Sequence, residues 1–227
     1  MASVGLTAVV ADAAIIGATQ LRYEMQARDV HGNMVQATVA DLYLISDDPN
    51  DIALNIYDVD MTNSLGATDY YQAASGETWN PMFTDPNYGS AWMQLDSFVS
   101  IGGINTSTAA PSQDLVTTSL VDPSFGGSTA PEPAQGAGWY TNSPLSATGR
   151  VGESVVGLGV FIGRFSLEGA GDFALEGHLK VTWNQGEGTG WNQERFDIDE
   201  GQFVVVPGAG GSLALLLAAG VRRQRRR

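Results

Sequence analysis

The sequence predicts an all-β protein: an antiparallel β-sandwich of jelly-roll type, followed by a single short C-terminal transmembrane helix. Three observations carry that expectation. Several segments alternate apolar and polar residues with the period of two that a half-buried strand requires, as in Leu21-Arg22-Tyr23-Glu24-Met25-Gln26-Ala27-Arg28. Twenty-eight glycines and nine prolines punctuate these segments while only 16% of residues are charged, a composition unlike helical bundles or coiled coils. From Val204 to Val221 there is no charge at all. Half-buried alternation also speaks against a parallel sheet, whose strands are apolar on both faces, and leaves a barrel-like arrangement as the alternative to a sandwich.

Charge and cysteine content narrow the function classes. The chain has 227 residues and no cysteine, which excludes disulfides, thiolate metal sites and cysteine nucleophiles. Five of its 11 basic residues are Arg222, Arg223, Arg225, Arg226 and Arg227, so residues 1–221 hold six basic side chains against all 25 acidic ones, a balance of −19. A body this acidic repels phosphate backbones, and no nucleic-acid partner is expected.

The elements follow in chain order. Residues 1–14 read as the remnant of an export signal, with an apolar stretch and small residues around Ala11-Asp12-Ala13. The first cation is Arg22, so the basic start of that signal is expected upstream of Met1; an ordinary first strand with an apolar lead-in is the other reading. Residues 15–203 form the expected body. After the strand at Leu21–Arg28, Val35–Val39 and the apolar run Leu42–Ile45 lead to the turn cluster Asp47-Asp48-Pro49-Asn50-Asp51. Ile52–Val59 and a segment near Trp92–Ile101 read as strands. Residues 104–150 hold five of the nine prolines and only four charges, and predict a long irregular excursion anchored by Leu115, Leu120, Phe125, Trp139 and Tyr140. A long strand over Val155–Leu167 is expected to point Phe161, Phe165 and Leu167 one way and Arg164, Ser166 and Glu168 the other. Phe173–Trp183 and Glu194–Val206 complete the set.

The body offers candidate chemistry without a motif that fixes it. His31 and His178 are the only histidines, and no Gly-x-Ser-x-Gly elbow accompanies them, so no catalytic residue is assigned and no enzyme is expected. Asp47, Asp48 and Asp51 in one cluster, and Asp58 and Asp60 in another, are weak candidates for Ca²⁺, since oxygen-rich loops suit that ion; none has EF-hand spacing. Asp197, Asp199 and Glu200 form a third acidic group. Trp79, Tyr88 and Trp92, interleaved with Asn80, Asp85 and Asn87, are candidates for a sugar-binding platform, because sugar C–H faces stack on rings while hydroxyls need polar partners. A loop packed by its own rings is the plainer reading. A pair of carboxylates able to hydrolyse a glycosidic bond ranks third.

Residues 204–227 carry the most specific signal. Eighteen residues in a helix rise about 27 Å, near the ~30 Å of a hydrocarbon core. Leu213, Leu215, Leu216 and Leu217 sit at the centre of that run, Pro207 lies where a helix start tolerates it, and the arginines beyond would stop transfer and stay cytoplasmic. A proline-containing motif, a small-residue apolar segment and an arginine cluster in this order resemble a PEP-CTERM sorting domain. Here Val206-Pro207-Gly208 stands where the family has Pro-Glu-Pro, similar to a Pro-Gly variant of such tails. A separate Pro131-Glu132-Pro133 has no apolar run behind it. The resemblance implies processing by an exosortase-type membrane protease-transpeptidase of Gram-negative-type bacteria. The protein would pass through an inner-membrane intermediate to the cell surface or exopolysaccharide matrix. It implies an envelope protein of structural or adhesive role, with a surface carbohydrate-binding module as the alternative.

Overall fold

The computed structural model describes residues 14–29, 31–67, 69–72, 79, 93–102, 104–105, 110–111, 119–121, 137–141, 148–169 and 171–204. The described residues are all-β, with one 3-10 turn at Met93–Leu95. The long strands are β1 (Ile15–Arg28), β2 (Met34–Ser46), β3 (Ile52–Asn63), β10 (Gly157–Glu168), β11 (Leu175–Asn184) and β12 (Trp191–Val204). Short ones lie between them: β4 (Phe98–Val99), β5 (Ile104–Asn105), β6 (Ala110–Pro111), β7 (Ser119–Val121), β8 (Trp139–Thr141) and β9 (Gly152–Ser154). Where a full strand was expected near Trp92–Ile101, the chain makes the 3-10 turn and the two-residue β4.

Ten strands join in one sheet of order β4-β10-β2-β1-β12-β11-β3-β8-β7, with β9 paired to β10; β5 and β6 pair separately. The expected two-layer sandwich is therefore corrected to a single sheet rolled into a nearly closed, barrel-like form. The purely antiparallel expectation is corrected too, because β1 and β12 run parallel. The cause is the length of β12. Its first half, Trp191–Asp197, pairs with β11, and its second half, Ile198–Val204, pairs with β1. A long strand that passes from one set of neighbours to another turns a corner and makes two half-sheets one.

That corner is set by a bulge. Thr19 pairs with Asp199 but Leu21 pairs with Gln202, so β12 carries an extra residue opposite Gln20. Gly201 lies there at φ 67°, and a Cβ on it would run into the Gln20 carbonyl. The buried Gln20 amide fastens the corner: Nε2 donates to the carbonyls of Leu175 (2.8 Å) and Asp199 (3.1 Å), and Oε1 accepts from the Leu175 N–H (2.7 Å). Gly201→Ala combines left-handed strain with a backbone clash. It is expected to lower the unfolding free energy by about 1–3 kcal/mol, read from the urea midpoint; an unchanged midpoint would contradict this account of the corner.

The ends of the sheet meet across the interior. The Trp139 indole of β8 donates to the Ser100 carbonyl just beyond β4 (2.8 Å). Ser100 and Gly102 extend the pairing with β10 through the carbonyls of Ile162 and Phe161. Residues 148–151 close the gap from the other side, because the Ala53 N–H donates to Gly149 and the Val151 N–H to Asp51. A side chain on Gly102 would strike the Thr148 carbonyl, so closure needs glycine at that crossing.

The core fills this roll with Leu42, Leu44, Ile56, Trp139, Ile162, Phe165, Leu179, Val181 and Trp183. Burial continues on the opposite face of β1, β2 and β10. There Tyr23, Ala27, Val35, Ala37 and Val39 pack against Leu95, and Tyr43 and Phe161 pack against Phe98. The expected alternation of β10 is broken by a register shift between Phe161 and Gly163. Phe161 consequently points away from Phe165 and Leu167; Arg164 and Ser166, expected on the face opposite Phe165, are buried there.

Candidate functional site

The covered face of β1, β2 and β10 hides one charged network. The Arg164 guanidinium is held bidentate by Asp41, Nε to Oδ1 at 2.7 Å and Nη2 to Oδ2 at 2.9 Å. The Tyr23 hydroxyl donates to Asp41 Oδ2 (3.0 Å), and Arg164 Nη1 donates to the Gln94 carbonyl (2.9 Å). Arg164 also lies over the Phe98 ring, 5.9 Å from its centroid. Both side chains of the pair are almost wholly shielded from water. Burial pushes the Tyr23 phenol well above its ordinary range, and burial does the same to Tyr43. With both carboxylate oxygens and three guanidinium nitrogens engaged, the network fastens the 93–98 segment onto the sheet. It offers no nucleophile. Sequence reading missed it, although the signal existed: Asp41 is the one charge in β2 and Arg164 the one cation in β10, each flanked by apolar residues.

The Asp47-to-Asp51 turn uses its carboxylates internally. Asp47 Oδ1 accepts the Ala14 N–H and Asp48 Oδ1 accepts the N–H and the amide of Asn50, each at 2.8 Å. Asp51 Oδ2 accepts from Ser46 Oγ (2.6 Å), and Gln185 Nε2 reaches both Asp48 and Asp51 at 3.3 Å. Burial raises the Asp51 carboxyl pKa. Among the described residues no group of three or more His, Cys, Asp or Glu side chains converges as a metal site would require.

The other predicted residues are dispersed. Trp79 does not present a ring to solvent. It is buried at 2% exposure, edge-on to Tyr70 (5.7 Å between centroids) and 5.5 Å from Phe165, so it is a core anchor. Tyr88 and Trp92 lie outside the described residues. So do the sorting residues Val206, Pro207 and Gly208, the leucines Leu213, Leu215, Leu216 and Leu217, and Arg222, Arg223, Arg225, Arg226 and Arg227. His31 sits in an exposed turn whose N–H groups at His31 and Asn33 donate to Asp29 Oδ1. Among the described residues no helix is long and apolar enough to cross a membrane.

What the structure does bring together is an open outer face on β8, β3, β11 and β12. Ile56, Trp139, Val181 and Leu179 point into the core, so their strand neighbours point out. Register then places Tyr140, Asn55, Thr182 and Gln193 in one row across four strands, with Tyr57, Lys180 and Arg195 in the next. Trp191 pairs with Asn184 on the other side of the first row. Gln193 Nε2 donates to Thr182 Oγ1 (3.1 Å), which fixes that amide. A bulge in β3 puts Asp58 at φ 50° and aims its carboxylate at Lys180 Nζ, 2.7 Å away. Asp60 lies 3.9 Å from His178 Nδ1. Asp58 thus faces the Lys180 ammonium and Asp60 the His178 ring, both on β11.

The hydrogen bond and charge of Lys180 hold the Asp58 carboxyl below its usual range, and Asp58 in turn raises the lysine. A depressed carboxyl pKa favours the fold above the ordinary value of 3.8, and the benefit disappears as pH falls through the lower folded value. Lys180→Met is expected to return Asp58 to the ordinary carboxylate range in an NMR titration; an unmoved titration would contradict the pairing.

No protein-family model, curated protein or solved structure matches the chain. Its functional reading therefore rests on the chemistry of its own residues.

Proposed function

We propose that the chain is an exported cell-envelope or extracellular-matrix protein of structural or adhesive role, sorted through residues 204–227. The observation that carries the reading is the 18-residue uncharged run from Val204 to Val221 with five arginines immediately behind it. Hydrocarbon accepts such a run as a transmembrane helix, and the arginines hold its far end in the cytoplasm. Val204, the first residue of that run, belongs to β12, so 205–221 are the residues of the run that follow the sheet. An exosortase-type enzyme acting near Val206-Pro207-Gly208 would then release the acidic body to the surface of a Gram-negative-type cell. The body's balance of −19 suits a surface role and opposes nucleic-acid binding.

Cell fractionation tests this reading. The full-length chain is expected in the membrane fraction and a shorter body at the surface or in the medium. Recovery of the whole chain as a single water-soluble species would overturn it.

A further inference from the structure

We propose that the outer face of β8, β3, β11 and β12 binds a neutral polysaccharide chain, which extends the adhesive reading by naming its ligand class. Two large aromatics are exposed among the described residues, Tyr140 at 46% and Trp191 at 65%, and both stand on this one face. Between them run the neutral hydrogen-bonding side chains of Asn55, Thr182 and Gln193, with Asn184 beside Trp191. Rings accept the C–H face of a pyranose while amides and hydroxyls exchange hydrogen bonds with its hydroxyls, so this mixture matches sugar rather than an apolar peptide or lipid.

Size and charge refine the ligand. From β8 to β12 the row crosses three strand spacings, about 14 Å. That exceeds one sugar ring, so the face fits a chain segment. The cations on it are already answered by carboxylates: Lys180 by Asp58 at 2.7 Å, and Arg195 by Asp197 at 3.8 Å. With a body balance of −19, a uronate or phosphate polymer would be repelled, whereas a neutral glycan meets no penalty. The platform residues are supplied by sheet register, which fixes their spacing before ligand arrives.

The test is native affinity electrophoresis of the full chain in mild detergent, through gels containing mixed-linkage β-glucan, xyloglucan, galactomannan or dextran, with polygalacturonate as the anionic arm. At least one neutral polymer is expected to retard the protein and polygalacturonate is not. Trp191→Ala and Tyr140→Ala should each weaken the retardation about tenfold, the scale of one lost aromatic stacking contact. Trp191→Phe should keep most of it. Circular dichroism and thermal midpoints unchanged in these surface variants would exclude misfolding as the cause. The proposal is overturned if no neutral polymer retards the chain, or if the alanine variants are retarded like the parent. It is also overturned if the face proves to be covered by a second copy, seen as a dimer that the same variants dissociate. Because the assay uses purified protein, its outcome is separable from whether the tail is sorted as proposed.

Discussion

Replacing Arg164 with methionine is expected to lower the unfolding free energy by about 3–5 kcal/mol, among the largest effects of any single change in this chain. The loss comes from what remains. Asp41 would stay buried with its charge, keeping the Tyr23 hydroxyl and losing both guanidinium bonds. The Gln94 carbonyl would lose its donor, and the 93–98 segment one of its ties to the sheet, while β4 and the Ser166 N–H bond to Ser97 Oγ remain. The double variant Asp41→Leu/Arg164→Met should recover part of the deficit, since the orphaned charge is removed while the Tyr23 hydroxyl and the Gln94 carbonyl still lose these partners. Chemical denaturation of the two variants measures both quantities. A double variant no better than the single one would contradict the explanation by an orphaned charge.

Trp139→Ala is expected to cost a similar amount, about 3–5 kcal/mol, because a fully buried indole is removed where the rolled sheet closes. Trp139→Phe separates the two contributions. It keeps most of the ring and deletes the donor to Ser100, so about 1 kcal/mol should be lost from that bond alone. Hydrogen exchange locates the effect. Both variants should expose the amides of Ser100 and Gly102, which bond to β10 beside the closure. Exchange confined to β8 would mean that the ends of the sheet are independent of each other.

Much of the fold was legible because a strand writes itself locally. Leu21–Arg28, Leu42–Ile45 and Ile52–Val59 alternate or run apolar and lie in strands, as does Phe173–Trp183 from Leu175 onward. The roll was not legible, because it depends on which strands become neighbours. Nothing in the alternation of β1 or β12 encodes their parallel pairing; the cue is one glycine, Gly201, whose left-handed φ lets β12 change partners. The misplaced face of Phe161 has the same origin. A one-residue bulge inverts every later side chain, and period-two reading has no way to register it. For the candidate platform, local density of aromatics drew attention to Trp79, Tyr88 and Trp92. Trp79 turned out to be core, while the exposed rings Tyr140 and Trp191 are separated by fifty residues of sequence and share a face only through strand order β8-β3-β11-β12. The Asp41–Arg164 pair was readable in principle, since two isolated opposite charges in apolar strands must find each other or remain unpaired.

The sorting role stands or falls on the fate of the leucine-rich tail. Mass spectrometry of the C-terminus of the protein recovered from the cell surface tests it most directly. The mature chain is expected to end near Val206-Pro207-Gly208, without Leu213 to Arg227. A surface or soluble protein that keeps Arg222 to Arg227 intact would contradict it.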